Sequence, residues 1–159
     1  VTGNTRRFGS SLEKIKQVVS PRSGEIMFGL KLEVNKGKTI FVADTRVHEY
    51  PSSEEMSEIA ISAARVVRLF GFDPKVAFVS HSTFCQTVTS RTKHIRNAVD
   101  ILKDKNVDFQ FDGDMQPDVA LNTDYQDLYP FSKIVGNANI LIMPGQHSAA
   151  ISYKMMKEL

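Results

Sequence analysis

The sequence predicts an α/β domain, a mixed sheet covered by helices on both faces, and three observations carry that prediction. Short apolar runs, TIFVAD, KVAFVS and NANILIMP, alternate with segments of helical spacing ten or more residues long. A four-residue NKGK link joins the first run to the alternating segment IMFGLKLEV, so one neighbouring pair reads as an antiparallel hairpin. The 159 residues, 42% hydrophobic and 24% charged, suffice for one ordinary core without metal or disulfide staples.

Each element has its own signal. SSLEKIKQVV puts Leu12, Ile15 and Val19 on one face of a short amphipathic helix, which a Pro21 to Gly24 turn ends. In IMFGLKLEV, Ile26, Phe28, Leu30, Leu32 and Val34 alternate with Met27, Gly29, Lys31 and Glu33, which predicts a half-exposed strand beside a buried one, TIFVAD. Pro51, then Ser52 with Glu55 three residues on, forms a capping box; Met56, Ile59, Ala60, Ala63, Val67 and Phe70 continue the helix and Gly71 stops it. KVAFVS is a strand, Ile95, Val99 and Leu102 stripe the next helix, VDFQFDGD and NANILIMP are strands, and HSAAISYKMMKEL is a closing helix.

Ligands of such sheets gather at the carboxyl ends of strands, where three loops are expected: Ser80 to Arg91, Asp112 to Pro117 and Pro144 to Ser148. A net charge of +2 gives no polyanion footprint, which argues against nucleic acid, and the longest apolar stretches are about half of what a bilayer crossing needs. A lone Cys85 forms no internal disulfide and fits a reducing, cytoplasmic setting. The opening without Met and the stop inside an apparent helix read as a fragment truncated at both ends, a single domain over 1–159.

Chemistry is harder to place. Gly37-Lys38-Thr39 has Leu32 where a phosphate loop needs its first glycine, and no GxGxxG occurs. Cys85 four residues from His81 suggests a thiolate and base, but a small packing residue accounts for it as well. Asp108, Asp112, Asp114 and Asp118 suggest a hard-cation site, or else a turn around Gly113 with aspartates capping the following helix. Arg6 and Arg7 before Ser10 and Ser11 suit a phosphate at a helix start, or a solvated terminus equally.

The blocks FVADTRVHEYPSSEEMSEIAISAARVVRLFGFDPKVAFVSHST, DFQFDGDMQPDVALN and GNANILIMPGQHSAAISYKMM, in this order over nearly the whole chain, resemble the phosphate acetyltransferase (phosphotransacetylase) family. The resemblance implies the isocitrate/isopropylmalate dehydrogenase-like fold and a cleft between two α/β subdomains, where acetyl passes between coenzyme A and phosphate without a covalent enzyme intermediate. VTGNTRRF and YPFSKIVGNANILIMPGQHSAAIS are most similar to the module fused behind the catalytic part of large bacterial NADP-dependent malic enzymes, which implies a regulatory, acetyl-CoA-sensing and assembly role. Alternatives are a fragment of a working phosphate acetyltransferase and a purely structural assembly module.

The resemblance also implies site residues. Ser80, His81, Ser82 and Thr83 match the family's Ser-rich cradle, and Asp112, Gly113, Asp114 and Gln116 match its DGE-Q turn. With Arg6 and Arg7 they form the expected acetyl-CoA or phosphate site; no metal ligand and no catalytic residue is expected here. Glu13 stands where active members carry an anion-holding Arg, and the PVNDLSRG-like segment is absent, so the chain itself is expected to be inactive. Implied partners are a second copy, as a homodimer or higher homo-oligomer, and a malic enzyme catalytic domain in the same parent chain. NADP and a divalent metal are implied only for that parent, which would decarboxylate malate oxidatively to pyruvate.

Overall fold

The structure, a computed structural model, describes residues 7–35, 37–84 and 86–158. Five strands form one mixed sheet in the order β1-β2-β5-β3-β4. β1 (Lys31–Asn35) runs antiparallel to β2 (Lys38–Ala43), and β2, β5 (Ile140–Ile142), β3 (Lys75–Val79) and β4 (Gln110–Met115) are mutually parallel. The central strands are apolar at successive positions because both of their faces are covered. Phe41, Ala43, Val76, Phe78, Ile140 and Ile142 point to one face, while Val42, Ala77, Val79 and Leu141 point to the other.

α2 (Ser53–Leu69) and α3 (Ser90–Asp104) cover the first face with Met56, Ile59, Ala60, Ala63, Val67, Ile95, Val99 and Leu102. Burial of each large side chain is worth about 1.5–3 kcal/mol. α4 (Pro117–Leu121) and α6 (Gln146–Glu158) contribute Ala120 and Ala149 to the second core, beside Met115, Ile134, Ala138 and Met143. A four-residue α5 (Thr123–Gln126) follows α4.

Local signals fix where the helices begin. The Ser52 hydroxyl accepts the Glu55 N–H at 3.1 Å and the Glu55 carboxylate accepts the Ser52 N–H at 2.7 Å, which completes the expected box. The Glu54 carboxyl is held below the usual range by its own backbone N–H and by the Ser52 hydroxyl. Thr89 and Thr92 form a second, unforeseen box at the start of α3. Gly71, with φ +83, stops α2 and donates its N–H to the Arg68 carbonyl.

Three expectations differ from the structure. Only the second half of IMFGLKLEV pairs as a strand; Ile26, Phe28 and Leu30 pack on the core from an extended segment without a ladder, and Leu32 and Val34 are exposed. No turn forms around Gly113, which lies inside β4. A Cβ there would sit 2.7 Å from the Phe78 Cβ, so the glycine serves close approach of two strands. α1 (Phe8–Val18) is helical as expected, yet none of its residues is buried.

Candidate functional site

The carboxyl ends of β2, β3 and β5 point toward one edge, where residues 44–52, 80–89 and 143–145 leave the sheet. At the end of β2 the buried Asp44 organises its own loop. Its carboxylate accepts the N–H groups of Gly29, Arg46 and His48, each at 2.8 Å, and lies 2.7 Å from His48 Nδ1. Gly29 is required there, since a Cβ would meet Thr45 Oγ1 at 2.9 Å and Asp44 Oδ1 at 3.0 Å.

The loop after β3 is folded back onto β4. Ser80 N–H donates to the Met115 carbonyl at 2.9 Å, Phe84 N–H to the Asp114 carbonyl at 2.7 Å, and Gln116 Nε2 to the His81 carbonyl at 2.8 Å. The Ser82 and Thr83 hydroxyls are turned inward: Ser82 accepts Thr87 N–H, Thr83 accepts Gln116 N–H, and both side chains are buried. Phe84 takes a positive φ of 47°, its ring packed against Tyr129 and Phe131 at 5.6 and 4.8 Å. Of the hydroxyl-rich stretch, His81 is exposed, buried Ser80 borders an open space while its hydroxyl accepts Ser82 N–H at 3.3 Å, and Ser82 and Thr83 hold the loop in shape.

That open space is a cavity of about 280 Å³ between the ends of β3 and β5 and the first turns of α3 and α6. Its apolar floor includes Val79, Ile95 and Met143; Ser80, His81, Ser148 and Ser152 supply polar groups; Arg91 is the permanently charged residue in its wall. A more open groove of about 480 Å³ shares Tyr50, Arg91, Pro144 and Ser148 with it and adds Glu49, Gly145 and His147. Tyr50 stacks on His94 with centroids 5.4 Å apart and planes at 21°, and the Arg91 guanidinium lies 5.8 Å from the Tyr50 centroid. His94 Nε2 is 2.8 Å from the Pro51 carbonyl, which only accepts, so that nitrogen carries a proton. An apolar floor with few polar groups and one cation suits a small, partly apolar molecule bearing an anionic group.

The expected residues therefore separate. Arg6 and Cys85 lie outside the described residues; Arg7 is exposed at the N-cap of α1 and is not in the cavity wall. Asp112, Gly113 and Asp114 lie in a strand instead of the expected cleft turn. The Asp112 carboxylate accepts the Gly113 and Lys133 N–H groups at 2.9 and 2.8 Å, and Asp112 and Gly113 border a separate pocket of about 200 Å³ with Arg96 and Lys103. The buried Asp114 carboxylate lies 3.1 Å from Arg96 Nε. Among the described residues no group of three or more His, Cys, Asp and Glu stands close enough to hold a metal. Nor is any described helix long and apolar enough to cross a membrane.

Sequence reasoning missed Tyr50, Arg91, His94 and Ser148. A signal existed for two of them: Arg91 and Ser148 close two of the loops expected at strand ends, although the structure places them in the first turns of α3 and α6, whereas Tyr50 and His94 meet only through the fold.

The NADP-dependent malic enzyme of Rhizobium meliloti is 43% identical over 159 residues, all of this chain and 21% of that protein. The phosphate acetyltransferase of Clostridium acetobutylicum is 32% identical over 98% of this chain and 48% of its own length. The chain thus spans about a fifth of the malic enzymes that it resembles. A solved phosphotransacetylase from Streptococcus pyogenes superposes with a TM-score of 0.91 at 26% identity, over 98% of this chain and 49% of that one. The sequence profile of the phosphate acetyl/butaryl transferases matches residues 1–159 from end to end, so the chain belongs to that family.

Proposed function

We propose that this chain is the phosphotransacetylase-like domain of an NADP-dependent malic enzyme and binds acetyl-CoA as a regulatory ligand. The observation that carries the reading is the cavity at the ends of β3 and β5, lined by an apolar floor and by Ser80, His81, Ser148 and Arg91. The 43% identity to a malic enzyme along the whole chain supports the parent assignment. The parent would use NADP and a divalent metal, held by segments outside this chain, to convert malate to pyruvate in the cytoplasm. A second copy of the chain and that catalytic part are its proposed partners, in a homodimer or larger homo-oligomer. Kinship with isocitrate/isopropylmalate dehydrogenase-like folds, with a second subdomain closing the cleft, belongs to the same reading.

Regulation without acetyl transfer rests on α1. Glu13, where an anion-holding Arg is expected, is exposed and lies 3.9 Å from Lys16. The test is calorimetric titration of acetyl-CoA into the full-length protein. Arg91→Ala and Tyr50→Ala should each weaken binding about tenfold, the scale of one charge-assisted contact. Wild-type affinity in both variants would overturn the siting, and acetyl phosphate formation from acetyl-CoA and phosphate would replace regulation by catalysis.

A further inference from the structure

On the flank of α6 turned away from the cleft lies a group of cations with no role in that reading. Ser148 and Ser152 line the cleft from one side of the helix; Tyr153 and, four residues on, Lys157 occupy another side, toward β1. Lys31, the first residue of β1, sets its ammonium 3.1 Å from the Tyr153 ring centroid. Lys154 follows Tyr153 directly. Arg46 arrives from the loop after β2, where the Asp44 carboxylate takes both its N–H and that of Gly29, two residues before Lys31. The Arg46 guanidinium lies 5.1 Å from the Phe8 ring centroid.

These cations lack the carboxylate partners that some other described cations have. Arg65, Arg68, Arg96, Lys103 and Lys105 meet Glu25, Asp108, Asp114, Asp100 and Glu58 respectively. Among the described residues no ion pair involves Lys31, Arg46, Lys154 or Lys157. The Lys31 pKa is lowered first by burial and then by Arg46; Glu33 pulls the other way, more strongly than Lys154 and Lys157, which lower it further. Like charges gathered on a fixed scaffold raise the free energy of the unliganded protein and lower that of an anion placed among them.

We propose that Lys31, Arg46, Lys154 and Lys157 form a second binding site, for a small molecule carrying two or more phosphate groups. A single carboxylate is too weak a counter-charge for four cations, whereas a diphosphate or triphosphate presents several oxygens at once. Arg46 supplies a planar fork for one phosphate and the lysines act as point charges around it. Two of the cations are pre-positioned by rings, which lowers the ordering cost of binding. The site is independent of the acetyl-CoA reading, since no cleft residue takes part in it.

Tripolyphosphate and, separately, inorganic phosphate titrated into the full-length protein at low salt provide the test. Tripolyphosphate should bind more tightly than inorganic phosphate, and its affinity should fall steeply with added salt. Lys31→Gln, Arg46→Gln and Lys157→Gln should each weaken it about three- to tenfold, while Lys93→Gln, an exposed lysine on α3, leaves it unchanged. Tripolyphosphate should also raise the melting temperature of the wild type more than that of Lys157→Gln, a change on an exposed helix position that the fold tolerates. Absence of wild-type binding, equal weakening by Lys93→Gln, or loss with Arg91→Ala alone would each overturn the site; the first would hand these cations to an acidic protein surface.

Discussion

The Thr83 hydroxyl oxygen lies 3.1 Å from the Gln116 amide nitrogen and accepts its N–H, so the loop after β3 and the N-cap of α4 form one unit. Thr83→Val keeps the shape and leaves that N–H without its partner at a fully buried hydroxyl position. The expected loss is about 1–3 kcal/mol in chemical denaturation, with Thr83→Ser close to wild type. Equal stability of the valine variant would show that the loop does not depend on this bond.

Gly113→Ala should be among the most damaging single-methyl changes in the protein. The added carbon would sit 2.7 Å from Phe78 Cβ and 2.8 Å from the Phe78 carbonyl, at a φ of +155°. Overpacking and backbone strain together cost about 3 kcal/mol or more. Gly37→Ala, at φ +77° with nothing within 4 Å, carries only the backbone cost, about 1 kcal/mol. Denaturant midpoints of the two variants, read side by side, separate contact from conformation; similar midpoints would contradict the packing account.

Asp44→Asn replaces a buried carboxylate that accepts several N–H groups with an amide that has one accepting oxygen. The loss should be about 3 kcal/mol or more, as for one member of a buried charged network. Amide exchange should rise at Arg46, Val47 and His48 while the β3 and β4 amides stay protected. Uniform exchange across the sheet would mean that Asp44 supports the whole fold instead of its loop.

The pH dependence of one surface pair has a definite sign. The Asp108 carboxyl is held below its ordinary value of 3.8 chiefly by its bond to Arg68, whose Nη2 is 2.9 Å away. Because the folded value is depressed, the pair's contribution is fully present above the unfolded value and disappears as pH falls through the folded one. The difference in melting temperature between wild type and Arg68→Gln should therefore be constant from about pH 5 to 8 and shrink below about pH 4. What remains at low pH is the Arg68 bond to the Asp108 carbonyl. A gap that widens on acidification would refute the assignment.

Local rules carried most of the fold. The Ser52 and Glu55 box, the stop at Gly71 and the stripe of Ile95, Val99 and Leu102 are interactions within a few residues, and a sequence displays them directly. Long-range facts were hidden. Gly113 read as a turn because glycine in a polar run marks one by default, and only the position of Phe78 shows a close approach of strands. Ser82 and Thr83 read as ligand contacts because hydroxyl-rich loops expose them; in the fold both are buried and each accepts an N–H, from Thr87 and Gln116, five and 33 positions away. The amphipathic stripe of α1 was legible, yet no residue of the helix is buried by the described residues.

The place of β5 has a consequence for how this chain is made. β5 is the last strand among the described residues and lies between β2 and β3 in the sheet. While a ribosome extends the chain, the β1–β2 hairpin and the β3–β4 pair emerge with no hydrogen bond between them, and Ile140–Ile142 must slot into a gap open on both sides. At about 5–20 residues per second, the stretch from Val79 to Ile142 holds those two apolar edges uncovered for several seconds. Nascent chains stalled before β5 should thus recruit holding factors that chains stalled beyond α6 no longer need.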